Sequence, residues 1–297
     1  MNTSRLKLLP LMAFLPLAFG YGAAVDARSL AEIQETGELR ICISPFPPQD
    51  TVQPANCREN CQFGGYSYDL TMAFLETLGK GIKPKFLRVD WDEQFFNKDG
   101  KVVREDAYTP ELLASGTCDL FPNVTKIGWR LNKFGFVTLN PDRMVVVVNK
   151  ARKAQFNSPA DLAGKVAATM KDSSWQTWLE EQNKTAYAAN PIQIKVVRTE
   201  DVLKAVDTGQ ADFAIHDLDL AMWFINNELK NCVTAFQVGQ RTEIAWVFRK
   251  QDVDLQAAAQ KFFDAQRPVR DSALNRVRIK NYGMTLPEFA DMVNKAK

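Results

Sequence analysis

One arginine sits among residues that offer a charge little help. In DLFPNVTKIGWRLNKFGF, Asp119 to Phe136, a strand-like run is followed by Arg130, flanked by Trp129, Leu131 and Phe134. A guanidinium there is a planar fork that matches a carboxylate through two parallel hydrogen bonds. The plainer alternative is an arginine that lays its stem on apolar surface and keeps its head in water. Asp217 ends the apolar strand ADFAIH and precedes LDLAMWFINNE, so it is either an anionic contact in a cleft or the cap of the next helix. Ser173 and Ser174 stand where KVAATM turns into a helix, and free N–H groups at a helix start favour anions. A serine there is equally an N-cap. His216, the one histidine, lies alone in an apolar strand and reads as structural, as do Trp175 and Trp178.

Five cysteines, Cys42, Cys57, Cys61, Cys118 and Cys232, allow at most two bridges and leave one thiol over. Cys57 and Cys61, close together in a Pro- and Asn-rich loop, form the expected local staple in an oxidising compartment. Metal binding is the rival, but no histidine accompanies the pair and the spacing has no second half. No metal or cofactor is expected.

The elements that must position these groups alternate along the chain. SLAEIQETG reads as a helix, ELRICIS as a strand, SYDLTMAFLETLG as a helix, PKFLRVDW as a strand, ELLASG as a helix and CDLFPNV as a strand. After MVVVVNK, a strand of consecutive valines suited to burial on both faces, the rhythm restarts through KVAATM, SSWQTWLEEQ, IQIKVV, EDVLKAVDTGQ and ADFAIH. EIAWVFRK adds a strand, and LQAAAQKFFDAQ and SALNRVRIKNYG close the chain as helices. Strand, helix, strand in this order implies an α/β fold with parallel sheets covered by helices. Two stretches break the alternation, the loop at 45–65 and NKDGKVVREDAYTP at 97–110, and both read as insertions. Loops at strand ends are where α/β proteins place their sites.

The first residues set an address. Arg5 and Lys7 precede the apolar run LLPLMAFLPLAFG and a small-residue stretch, the pattern of a cleavable secretory signal peptide over residues 1–27. The run is short for a membrane span and holds Pro10 and Pro16, and no cysteine stands at the cleavage region to take a lipid. A free periplasmic protein is the expectation. Removing Arg5, Lys7 and Asp26 with the leader takes the formal charge from +2 to +1 with scattered signs, so nucleic acid is not an expected partner. At 46% hydrophobic the chain can fill one large core or two moderate ones, and its 297 residues favour two lobes.

Taken in order, SLAEIQETGELRICIS, GGYSYDLTMAFLETLG, Trp91, LLASGTCDL with Thr125, Arg130 and Phe136, SPADLAGKVAATMKDSS, DTGQADFAIHD and the ending RIKNYG resemble the periplasmic solute-binding proteins of the polar amino acid family. Those proteins serve ABC transporters. The resemblance implies two α/β lobes, residues 28–143 with 244–297 and residues 144–243. Two crossover strands, MVVVVNK and EIAWVFRK, would join them around a ligand cleft. It implies a ligand-binding set of Phe46, Tyr68, Thr125, Arg130, Ser173 and Asp217: an aromatic ring stacked on the solute, Arg130 and Ser173 on its carboxylate, Asp217 on its ammonium. Burying both charges of an amino acid costs several kcal/mol, about that per ion, unless each finds a partner, so a fixed cation and a fixed anion are what such a site needs.

The chain departs from the family pattern at Ile127, where a second threonine is usual, at Asp172, usually glycine, and at Ser67, usually aspartate. One residue is also missing between Asp119 and Thr125. These changes bear on which solute is bound, an amino acid, an organic acid, a modified amino acid or a peptidoglycan fragment. The leading expectation is a monomeric binding protein, not an enzyme, that delivers its solute to a membrane permease. One alternative is an enzyme like cyclohexadienyl dehydratase, for which Asp172, Asp217 and His216 form no evident acid–base pair. Another is a sensor or accessory role, since similar lobes occur fused to signalling kinases and lytic transglycosylases; the chain's ending soon after Tyr282 argues against a fusion.

Overall fold

The computed structural model describes residues 28–295 apart from 47 and 55. The expected signal peptide, residues 1–27, lies outside the described residues. The first helix, α1 (Leu30–Thr36), starts in a capping box in which Ser29 and Glu32 satisfy each other's backbone N–H groups. It stops at Gly37, whose left-handed φ of 64° lets its N–H reach back to Ile33. The chain continues through β1 (Glu38–Ile43), the short β2 (Thr51–Gln53) and β3 (Gln62–Gly64), α2 (Tyr66–Leu78), β4 (Lys83–Arg88), α3 (Glu111–Ala114) and β5 (Phe121–Thr125). A long strand, β6 (Gly135–Asn149), leads into β7 (Val166–Met170), α4 (Ser174–Lys184), β8 (Gln193–Val197), α5 (Val202–Asp207), β9 (Phe213–Asp217) and α6 (Leu218–Asn227). A second long strand, β10 (Cys232–Phe248), returns the chain to α7 (Val253–Gln266), α8 (Ala273–Tyr282) and α9 (Leu286–Lys295).

The fold is the two-lobed α/β arrangement expected from the sequence. A six-stranded sheet runs in the order β5-β10-β6-β9-β7-β8, and the parallel pair β1-β4 meets it through a bridge from Ile41 to Leu120. Parallel pairing of β7 with β8 and β9 comes with α4 and α5 as crossovers, as βαβ units require. Val145 to Val148 lie buried between β10 and β9, which is why four valines stand in a row.

MVVVVNK and EIAWVFRK are each half of a longer strand. β6 and β10 pair from Gly135 opposite Phe248 to Asn149 opposite Cys232, so each passes from one lobe into the other. The polar interruptions Asn140, Pro141 and Asp142 on β6, and Gly239, Gln240 and Arg241 on β10, hide that continuity in the sequence. They fall where the pairing breaks register between Val238 and Thr242, and Gly239 takes a left-handed φ of 69°.

One apolar core extends through both lobes, and a second, smaller one gathers Phe95, Phe121 and Phe134 around the Cys42–Cys118 disulfide. The Cys57–Cys61 staple is present too, and its sulfurs are joined to each other rather than free to hold a metal. Cys232 is left as a free buried thiol, its pKa pushed up to about 12 by burial.

Both insertions take defined shapes. At 45–65 the chain folds into the β2–β3 hairpin, stapled by Cys57–Cys61. A Cβ on Gly65, at φ 95°, would lie 2.6 Å from the Pro48 carbonyl oxygen, so glycine alone lets this loop press on the start of α2. Phe46 and Asp50 exchange main-chain hydrogen bonds of 2.7 and 2.9 Å at the base of the loop, which fixes the Phe46 ring. At 97–110 the β-prone pieces form no strand; Tyr108 donates to the Phe95 carbonyl at 2.6 Å and Lys133 sits 4.1 Å over the Tyr108 ring.

Candidate functional site

Between the lobes the ends of β5, β7 and β9 meet the loop carrying Phe46. Phe46, Trp91, Asn123 and Thr125 come from one side, and Met170, Ser173, Ser174, Trp175 and Asp217 from the other. The space they enclose is about 10 Å³, room for a single water. With the lobes in this arrangement, a solute has no room to enter.

Four of the six residues expected from the sequence line this space: Phe46, Thr125, Ser173 and Asp217. Arg130 lies beside it, fully buried. Its guanidinium rests on the faces of Phe95 (4.7 Å), Trp129 (5.2 Å) and Trp91 (5.7 Å). Its hydrogen bonds go to main-chain carbonyls, Nη1 to Thr125 at 3.2 Å and Nη2 across the cleft to Asp172 at 2.9 Å. Nε has no partner. Burial brings its pKa down to about 9, opposed by the charge of Asp217, so the group stays cationic at neutral pH.

Asp217 occupies the N-cap position of α6 but makes no side-chain cap bond. Instead its Oδ1 accepts from Trp175 Nε1 at 2.8 Å. Burial raises its pKa to about 6, against that hydrogen bond. Asp142, fully buried on β6, is held well above the carboxylate range by burial and by the charge of Asp217. Ser173 is the N-cap of α4: its Oγ accepts from Gln176 N–H at 3.0 Å and donates to the Met170 carbonyl at 2.7 Å. Ser174, one residue on, is the serine that faces across the cleft, with its Oγ 3.5 Å from Thr125 Oγ1.

Tyr68 corrects the expectation. It packs against Phe86, ring centroids 4.7 Å apart and tilted by 35°, and is not among the residues lining the cleft. On α2 the inward positions are Tyr66, Ser67, Leu70 and Phe74, and helical periodicity turns Tyr68 to the other face. Trp175, read as core, is buried in the main apolar core and also lines this space. Its place two residues past Ser173, in the first turn of a helix whose start faces the cleft, is the signal that could have found it. Asn123 was missed for want of any sequence signal. His216 is neutral, its pKa dropped by burial to about 3, and stacks with Trp175 at 4.1 Å and Phe46 at 5.7 Å.

Asp172 ties the lobes together. It has a left-handed φ of 54°, a conformation that aspartate tolerates better than most residues, which suits a position where glycine is usual. That turn points its carbonyl at Arg130 and Trp91 Nε1 (3.5 Å). Its carboxylate meets Arg104 at 3.2 Å, and the same arginine holds Glu180 at 2.6 Å. The 97–110 insertion thus clasps one lobe to the other. Lys171 with Asp92 (3.4 Å) and Trp129 with Thr177 (3.4 Å) add to this seam.

Comparison with solved structures matches this architecture. A mutant of the arginine-binding protein ArgBP from T. maritima superposes with a TM-score of 0.66 at 19% identity, covering 86% of this chain and 99% of that one. AbpA, an amino acid ABC transporter substrate-binding protein from Streptococcus pneumoniae Canada MDR_19A bound to L-arginine, gives 0.63 at 20% identity, covering 90% and 98%. The fold is that of the two-lobed amino-acid-binding proteins. No family model matches the chain. Among curated relatives, the membrane-bound lytic murein transglycosylase F of Stutzerimonas stutzeri (strain A1501) is 26% identical over 277 residues, 93% of this chain. The chain spans about half the length of the curated relatives it matches, 52% of that one. The expectation of a chain outside the enzymes is corrected by this finding, since the relatives aligned along nearly all of it are enzymes by name.

Proposed function

We propose that the two lobes open and close on a small zwitterionic or anionic solute, an amino acid or derivative, held between Arg130 and Asp217. The observation that carries this reading is a buried carboxylate, Asp217, lining one interlobe space with a buried cation, Arg130, beside it and near enough to feel its charge, and with the Thr125 and Ser174 hydroxyls 3.5 Å apart in the same lining. In the closed lobes these groups have stand-ins: two backbone carbonyls for the solute's carboxylate at Arg130 and the Trp175 indole for its ammonium at Asp217. Opening frees them, and reclosing on a solute replaces the stand-ins with charged partners, so affinity is coupled to conformation. We place the hinge at Asn140–Met144 of β6 and Val238–Glu243 of β10. Phe46 supplies the stacking ring, and Ser173 orients the helix start rather than donating to the solute. The proposed setting is the periplasm, reached by a cleaved leader, where a monomer hands its solute to an ABC transporter permease. A thermal-shift screen of amino acids and small organic acids tests the reading, because a solute that binds only the folded state raises the melting temperature.

The alignment with murein transglycosylases favours a second reading, in which the lobes sense a cell-wall fragment on behalf of cell-wall turnover. Deleting the gene separates the two: a lost uptake activity supports transport, and altered muropeptide release with uptake intact supports sensing.

A further inference from the structure

Beside the closed cleft runs a second and far larger groove of about 1060 Å³, bounded by the turn after β5, by α4 and by the hinge segment of β10. It shares Ser174 with the small space but stays open to solvent while the lobes are shut, a volume at the upper limit of small-molecule sites. Three rings line it, Trp129, Trp178 and Tyr187, the two indoles only half-buried. Its charges cancel: Lys126 and Arg241 against Glu181 and Glu243, with Lys126 and Glu243 paired at 3.2 Å. The remainder mixes the amides of Gln182, Gln237 and Gln240 and the hydroxyls of Ser174, Thr177 and Thr242 with apolar residues such as Ile127, Leu131 and Val238. Gln237 Oε1 and Thr242 Oγ1 are buried there without hydrogen-bond partners, and Gln182 lines the opposite wall.

We infer that this groove binds an uncharged saccharide of several rings. A sugar ring presents a face of weakly positive C–H groups, which suits the electron-rich face of an indole, and a rim of hydroxyls. Amides both donate and accept, so Gln182 and Gln240 can satisfy that rim, and a small rotation of Gln237 would bring its orphaned oxygen to the groove as well. A cancelled charge balance gives an anionic polymer no hold. An extended peptide would add to the open edge of β10, but the strand is irregular here: its ladder with β6 slips between Val238 and Thr242, and a Cβ on Gly239 would sit 3.3 Å from Trp178 Nε1. The inference is independent of the small-solute reading of the Arg130 cleft.

Calorimetric titration of the whole chain with chitotriose, cellotriose and a capped tripeptide tests it. The expected result is saturable binding of a trisaccharide in the millimolar range or tighter, weakened about tenfold or more in both Trp178→Ala and Gln182→Ala. Gln182→Ala removes only a half-buried amide, so it keeps the test sound if Trp178→Ala melts early. No saturable binding by either trisaccharide up to about 10 mM overturns the inference. So does trisaccharide binding indifferent to Gln182→Ala and to Trp129→Ala, or binding of the tripeptide alone. A failure here leaves the tests on Arg130 and Asp217 untouched.

Discussion

Arg130 Nη2 donates to the main-chain carbonyl of Asp172 across 2.9 Å, joining the lobes through a cation that no carboxylate meets directly. Its three aromatic supports hold the guanidinium in place and exclude water. A charge kept this dry is costly unless closure is meant to supply it with an anion. Replacing Arg130 by alanine is therefore expected to weaken solute binding by about 2–4 kcal/mol, some thirtyfold to a thousandfold. Isothermal calorimetry with the screened solute checks this, and an unchanged Kd removes Arg130 from the site.

Asp217 carries a pH signature. Its folded pKa of about 6 lies above the ordinary value of 3.8, so the folded chain keeps a proton that the unfolded chain has lost between about pH 4 and 6. Stability from this group falls as pH rises through that window and stays lower above it. His216, dropped to about 3, works in the opposite direction, so the informative quantity is a difference. Asp217→Asn is expected to gain on wild type as pH rises from 4 to 7, with Asp217 and Asp142 titrating as a pair, read by urea melts across pH. A difference that does not vary with pH contradicts the assignment.

The same titration governs the solute. Above pH 6 the carboxylate is charged, so an amine-bearing solute is expected to bind roughly tenfold tighter at pH 7 than at pH 5, while a plain acid shows no such gain. Equal pH profiles for the two solute classes would argue against an ammonium at Asp217.

Arg104 is partly exposed, and its pairs with Asp172 and Glu180 cross the seam. Each such pair contributes at most about 1 kcal/mol and is screened by salt. Arg104→Ala is expected to shift the lobes toward the open form, seen as a larger radius of gyration in small-angle scattering without solute, with high salt acting likewise on the wild type. An unchanged radius in both cases would show that the insertion does not act as a clasp.

The two disulfides close loops of very different length. Cys42–Cys118 spans 76 residues and Cys57–Cys61 spans 4. Loop-closure entropy then gives about 4 kcal/mol for the first and about 2 for the second. Urea denaturation of the paired serine variants checks the order, and a larger loss from the short loop would contradict it.

What could be read from the sequence was local. The valine run of β6, the helix α1 ending at Gly37 and the serine at the start of α4 each declare themselves through one short segment. Arg130 and Asp217 stood out because a charge set among aromatic residues, or just past an apolar strand, is costly without a purpose. What stayed hidden depends on residues distant in sequence. Cys42 finds Cys118 only because β1 is bridged to Leu120, and Arg104 finds Asp172 only once both lobes exist. Tyr68 failed because one helix offers two faces, and only packing decided that Tyr66 turns inward. The crossover strands looked shorter than they are because polar residues and a glycine interrupt them where the ladder breaks register.

The most direct test of the account is a thermal-shift screen of the standard amino acids and small organic acids, run in parallel on wild type, Arg130→Ala and Asp217→Asn. At a concentration a hundredfold above Kd, a true solute adds about 2.7 kcal/mol, so a rise of roughly 5–10 °C is expected for wild type and a much smaller one for Arg130→Ala. A solute that shifts all three proteins equally would contradict a site built from Arg130 and Asp217.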